Sequence, residues 1–289
     1  MKASPPVSNQ EQLEWERRWA KPAALSAFLA VALLIAGNVL RQAVALSDNP
    51  DDERELLIAI HDNAGAFIAS SIVQALSFVA LIGALWYLGN AVVARRPALP
   101  RVMLWLAVIG PVLLAIAKVV SDLARMDKAD EFVASGPQTV DRAEDLLDGL
   151  GVAAAAIGSA GTLALAIALV FISVNAMRVG LLTRFMGVVG AIIGVLYVLP
   201  ILAGPLLVQI FWLGALGVLF LGSWPGGRGP AWETGEAIEW PSGMARRGEL
   251  DDPQGDVTQP PPAEAEPSAA DGNGDPGGRS RSSRKRKRR

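Results

Sequence analysis

Residues 65–89 read GAFIASSIVQALSFVALIGALWYLG, a run without a single Asp, Glu, Lys or Arg. At about 1.5 Å of rise per residue, roughly 20 apolar residues cross a hydrocarbon core of about 30 Å, so this run predicts a membrane-spanning helix. Five more stretches follow the pattern, at 23–45, 102–121, 151–176, 184–203 and 206–223. The predicted fold is all-α. It is a polytopic membrane protein with six transmembrane helices in a bundle over 23–223, an N-terminal segment 1–22 and a tail 224–289.

The fourth span, from Gly151, runs through Ala153-Ala154-Ala155-Ala156, and such small residues suit close helix packing. The last two spans are joined by Leu202-Ala203-Gly204-Pro205, which predicts a hairpin; a re-entrant loop over 196–210 is the other reading of that pair. Before the first span lie 22 residues with three Glu, the apolar run is long, and no persuasive Ala-x-Ala cleavage site precedes Asp48. An uncleaved span is therefore expected.

Composition agrees. Of 289 residues 52% are apolar and the mean hydropathy is +0.35, beyond the usual range of soluble domains. The absence of Cys excludes disulfides, thiolate catalysis and thiolate metal sites, and a lone histidine, His61, excludes multi-His metal sites. Arg outnumbers Lys 20 to 6, a bias of GC-rich bacterial coding.

Orientation follows from the basic residues of the connections. One side carries 20 Lys and Arg, among them Arg17, Arg18, Arg95, Arg96, Arg178 and Arg184; the other has only Arg54, Arg125, Lys128 and Arg142. The basic side is expected to be cytoplasmic, and with it both termini. Trp19, Trp86, Tyr87, Trp105 and Trp224 fall at the cytoplasmic ends of spans, where aromatic rings favour the headgroup layer, whereas Tyr197 and Trp212 fall nearer the outer side.

The outward segments 46–64 and 122–150 hold fourteen acids and four bases. An outward loop avoids Lys and Arg by default, which accounts for this; a cation-gathering vestibule is the sharper reading. Asn49 as cap, Pro50 at the first helical position and the acids Asp51, Asp52 and Glu53 suit a helix start, as do Gly136-Pro137 with Thr139, Asp141 and Glu144. Hence 50–89 and 137–177 are each expected to form one helix projecting above the bilayer, with Gly65, Gly149 and Gly151 as the weak points. The two hairpins resemble one another, ending alike at Asn90-Ala91-Val92 and Asn175-Ala176-Met177, as a duplication or shared topology would give.

Arg41 and Lys118 each lie about one turn below the outer end of a span. Snorkelling to the interface, with Asp48 and Asp122 as partners, is the plain reading, and a solute pathway the alternative. Asn38, Gln74, Asn175 and Gln209 can hydrogen-bond across helices, Pro111 and Pro200 can bend theirs, and Gly190 and Gly194 form a GxxxG.

Past Pro225 the apolar periodicity vanishes, and disorder is expected from about residue 243. Trp232, Ile238 and Trp240 could dock on the inner face of the bundle or on lipid. Residues 249–275 hold eight acids and no base; the last eleven residues hold eight bases, including Arg284, Lys285, Arg286, Lys287, Arg288 and Arg289. This basic end is a candidate contact for anionic lipid, at roughly 1 kcal/mol per charge near the surface, in competition with the tail's own acids. Nucleic acid is the less accessible partner.

Two segments carry a resemblance: Gly180-Leu181-Leu182-Thr183-Arg184-Phe185-Met186-Gly187, and Trp224-Pro225-Gly226-Gly227 with Pro230-Ala231-Trp232-Glu233 and Glu239-Trp240-Pro241. Over 180–242 the chain resembles uncharacterised multi-pass membrane proteins of high-GC Gram-positive bacteria, a resemblance that implies a bacterial plasma membrane and assigns no residue a role.

No phosphate loop, Gly-x-Ser-x-Gly elbow, His-Glu-x-x-His or dinucleotide fingerprint occurs, so neither an enzyme nor a cofactor is expected. The expected function is that of a structural or interaction protein of the bacterial envelope, its protein partner unspecified. The alternative is a transporter or channel subunit for a small solute. A cavity lined by Asn38, Gln74 and Asn175 would favour transport, and a tightly packed bundle the former.

Overall fold

The computed structural model describes residues 9–48, 52–148, 151–199, 206–225 and 227–240. They belong to one of the two units of the chain, 1–242; the other, 243–289, with the predicted disorder and the basic block, lies outside the described residues. The described chain is all-helical: α1 (Asn9–Asp48), α2 (Glu53–Asp62), α3 (Ala64–Arg95), α4 (Val102–Ala134), α5 (Val140–Leu147), α6 (Val152–Arg178), α7 (Arg184–Val198), α8 (Leu206–Phe220) and α9 (Pro230–Thr234).

Four helices, α1, α3, α4 and α6, are long and apolar enough to cross a membrane, and α7 and α8 are shorter apolar helices of 15 residues. Large apolar side chains remain exposed along them, among them Leu25, Val39, Leu76, Ile109, Leu163 and Val188. So broad an apolar surface belongs in lipid, and the protein is a multi-pass helical membrane protein. Helices α1, α3, α4, α6 and α7 pack in series, and α8 returns against α1. We call the end where α3, α6 and α8 finish the basal end and its opposite the distal end.

The core is made of small residues facing large ones. Ala20, Ala23, Ala24, Ala27 and Ala30 of α1 are buried against Leu81, Leu85 and Leu88 of α3. The pair Gly190 and Gly194 brings α7 close to its neighbours: a Cβ on Gly194 would stand 2.8 Å from the Ala166 carbonyl oxygen of α6, and one on Gly190 would strike the Ser173 hydroxyl of α6 and stand 2.7 Å from the Trp212 ring of α8. The expected GxxxG packing is therefore present. α4 passes through Pro111 without a break; Pro200 lies outside the described residues, as do 200–205 of the re-entrant reading, whose flanks are the ends of α7 and α8.

At the distal end the helix boundaries differ from expectation. The described cap of α2 is Asp52, whose side chain accepts from the Glu55 amide at 2.9 Å; Asn49, Pro50 and Asp51 lie outside the described residues. The predicted helix 50–89 is interrupted at one residue, Asn63, yet hydrogen bonds run across it from the Asn63 amide to Ala59 and from Phe67 to Asn63. The predicted helix 137–177 does not exist as one element. Thr139 caps α5 as its sequence suggests, but Asp148 is extended and Gly151 adopts φ +79, a left-handed conformation that ends the helical path before α6. The helix that projects is α4, which continues thirteen residues beyond its apolar run to Ala134.

The acidic segments are also not free projections. Leu57 and Ile60 of α2, Ala129 and Phe132 of α4, Ala143 of α5, Val44 and Phe67 form a separate small core. Asp130 meets His61 across α2 and α4 at 2.7 Å, and Arg54 donates to the Gln138 carbonyl at 2.9 Å. On the exposed face of α4, the hydrogen bond from Lys128 to Glu131 holds that carboxyl below its ordinary range and the ammonium above its own.

Candidate functional site

Two polar clusters stand out, one at each end. The basal one is built on Arg95, at the last turn of α3. Its side chain is fully buried, and it pairs with Glu16 of α1 through Nη1 at 2.5 Å and Nη2 at 3.0 Å. Nε and Nη2 also donate to the Ala231 carbonyl at 3.1 and 2.6 Å, and Nη1 to Ala91 at 2.9 Å. A buried guanidinium is tolerable only when its charge and its donors are met, and here they are.

An aromatic stack encloses the pair. Tyr87 lies between Trp15, at 5.6 Å, and Trp232, at 5.7 Å, with Phe220 edge-on at 4.8 Å. The Tyr87 hydroxyl donates to the Glu16 carbonyl at 3.0 Å. Tyr87 is thus a buried core residue rather than a member of an interfacial belt. Trp212, expected nearer the outer side, is also buried, and donates at 2.9 Å to the Met186 carbonyl in the first turn of α7, at the basal end. Trp19, Trp86 and Trp105 stay exposed, as a belt requires.

The segment after α8 closes this end. The Trp232 indole donates to the Leu181 carbonyl at 2.9 Å, and Arg228 caps the end of α8 through the carbonyls of Leu219 and Phe220. Gly180 has φ +75 and lies directly against the Ile238 carbonyl; Gly229 packs under the Trp240 ring. The two stretches that carry the sequence resemblance, 180–187 and 224–240, are therefore one contiguous structure. Of the two readings for Trp232, the bundle face rather than lipid is the one it takes; Glu16 and Arg95 as its anchor have no sequence signal, because both read as ordinary charges of solvated segments.

The distal cluster gathers Arg41 and Lys118. Both reach Asp122, a carboxylate with no exposed surface: Arg41 Nη1 at 3.2 Å and Lys118 Nζ on Oδ2, and Arg125 Nη1 on Oδ1 at 3.0 Å. Arg41 also lies 4.9 Å from the Phe67 ring centroid. Asp122 was expected as a partner, whereas Arg125 was not, and Asp48 has no described side chain.

The uncharged polar candidates do not converge. Asn38 donates to Leu34 of its own helix at 2.7 Å, and Gln74 packs on Gly37. Asn175 lies at the other end, where its side-chain oxygen accepts from Arg96 at 3.0 Å. Gln209 joins α8 to α7 by accepting from the Tyr197 hydroxyl at 2.9 Å. Beside Asn175 is a crevice of about 20 Å³, room for about one water, walled by Val92, Leu99, Met103 and Phe171. Among the described residues no group of three His, Asp or Glu could hold a metal ion.

Residues 23–224 match a family described as a domain of unknown function, DUF4386. The chain belongs to the DUF4386 family. No curated protein and no solved structure matches it. The DUF4386 region contains Arg95, Tyr87 and the whole distal cluster, but the counter-ion of Arg95, Glu16, and the carbonyl of Ala231 that accepts two of its bonds lie outside it. The flanks of the DUF4386 region thus complete its basal end.

Proposed function

We propose that the protein is a structural or interaction protein of a bacterial plasma membrane, with six spans, both termini cytoplasmic and no enzymatic activity. One observation carries this reading: among the described residues the side-chain amides of Asn38, Asn175 and Gln209 are hydrogen-bonded within the chain and lie at different levels of the bundle. Asn38 bonds along its own helix and Asn175 bonds to Arg96 at the opposite end. A solute path would need polar groups facing a common wet space, and the crevice beside Asn175 is apolar and small. The basal end, taken as cytoplasmic from its basic residues, is closed by the buried Arg95–Glu16 pair and the Trp232 segment. In this arrangement the surfaces open to partners are the distal cap, the lipid-facing helices and the tail, whose terminal bases from Arg284 to Arg289 are suited to anionic lipid.

The test combines cross-linking in native membranes with reconstitution. The full chain should retain a reproducible protein partner on purification and leave ion and small-solute flux at the level of empty vesicles. Flux above that level, lost on substituting Asn38 or Gln74, would overturn the reading in favour of transport.

A further inference from the structure

Among the described residues the distal cluster holds more positive charge than its contacts neutralise. Lys118, Asp122 and Arg125 recur at i, i+4 and i+7 and so share one face of α4, and Arg41 enters from α1. Three cations share one carboxylate. Asp122 is fully buried, whereas the side chains of Arg41, Lys118 and Arg125 remain 37%, 19% and 39% exposed. The buried carboxylate fixes the three cations close together against their mutual repulsion, and among the described side chains the set carries two positive charges in excess. Each contact to Asp122 engages one nitrogen of its cation, and a guanidinium carries three nitrogens in a planar fork suited to phosphate oxygens.

Depth selects the ligand. Asp122 is the first acid after the apolar run of α4, so the cluster stands where hydrocarbon gives way to headgroups. On the opposite face of the same turns α4 exposes Ile116, Val120 and Leu123, which sets this level of the helix against hydrocarbon. At that depth the anion in reach is the phosphodiester of a lipid headgroup. We propose that Arg41, Lys118 and Arg125, organised by Asp122, bind the phosphodiester headgroup of an anionic membrane lipid. The assignment rests on the membrane placement alone and is independent of whether the protein is a scaffold or a transporter.

The experiment uses the full chain, delipidated in mild detergent and titrated with phosphatidylglycerol, phosphatidylcholine or inorganic phosphate. Bound lipids are counted by native mass spectrometry. The wild type should hold phosphatidylglycerol about tenfold more tightly than phosphatidylcholine. Arg125→Gln removes one cation but leaves Asp122 two partners. It should lose one tightly bound phosphatidylglycerol while its lipid-free melting temperature stays near that of the wild type, and Arg125→Lys should keep most of the binding. The basic tail is identical in all three and cancels in the comparison. Lys118→Gln gives a second loss of charge should Arg125→Gln not fold. Equal lipid counts in the wild type and the charge-removing variants would overturn the proposal. So would displacement of the lipid by millimolar inorganic phosphate, which would mark a free-anion site.

Discussion

Arg95 illustrates what one residue can hide. In the sequence it stands beside Arg96 in a basic turn, and both count equally as positive charge on one side of a membrane. In the structure Arg96 is exposed and Arg95 has no exposed side-chain surface. The distinction depends on Glu16, 79 residues away, and on a carbonyl 136 residues away, so no local pattern announces it. Glu16→Gln changes little but charge, and it leaves the guanidinium buried without its counter-ion. Removing one partner of a buried pair costs about 3–5 kcal/mol, whereas replacing both by apolar residues is often tolerated. Glu16→Gln is therefore expected to lower stability by about 3 kcal/mol, and Glu16→Met with Arg95→Met should be more stable than Glu16→Met alone. Reversible unfolding in mixed detergent micelles measures both. Arg41 and Lys118 were more legible, because a charge inside an apolar run demands a partner and Asp122, four residues on, is the nearest acid to Lys118; the nearest to Arg41 in the sequence, Asp48, has no described side chain. Arg125 escaped notice because it lies past the end of that run.

At the scale of elements, the apolar runs located the four long helices and the two short ones, since length and hydropathy suffice for that. Their ends were harder to place. α4 outlasts its apolar run because its polar continuation still packs through Ala129 and Phe132, a spacing of three that a reading of acidic loops overlooks. The break before α6 rests on Gly151, and the basal closure rests on Gly180; both have positive φ. The two glycines separate backbone strain from docking. A left-handed non-glycine residue costs roughly 1–2 kcal/mol. At Gly151 an added Cβ would meet nothing nearer than Ala154 at 3.8 Å, whereas at Gly180 it would strike the Ile238 carbonyl, which must move. Gly151→Ala should destabilise the fold by roughly that strain, and Gly180→Ala by more, because the Ile238 carbonyl must also shift. Only Gly180→Ala should also speed hydrogen–deuterium exchange of residues 230–240. Equal exchange in the two variants would mean that the segment does not depend on Gly180 for its seat.

For the molecule as a whole, charge makes two predictions. The first concerns the tail. If its bases at 279–289 hold lipid by charge, a peptide of 276–289 should bind anionic vesicles more tightly than one of 243–289, which carries the competing acids of 249–275. Both should release as salt rises, because exposed charges are screened beyond about 8 Å at physiological ionic strength; binding to neutral vesicles that ignores salt would contradict this. The second concerns orientation, which decides which leaflet the distal cluster meets and whether the tail can reach an anionic inner surface at all. Lys and Arg resist transfer across a membrane, so the side with 20 of them is expected to stay in the cytoplasm and the side with four to be translocated. The native chain has no Cys, so single cysteines report without interference. Ala98→Cys stands exposed in the basal turn between α3 and α4, and Gln138→Cys stands exposed in the distal turn before α5. In intact cells an impermeant thiol reagent should label Gln138→Cys and spare Ala98→Cys until the membrane is opened. The reverse pattern would invert the protein and place the distal lipid site in the inner leaflet.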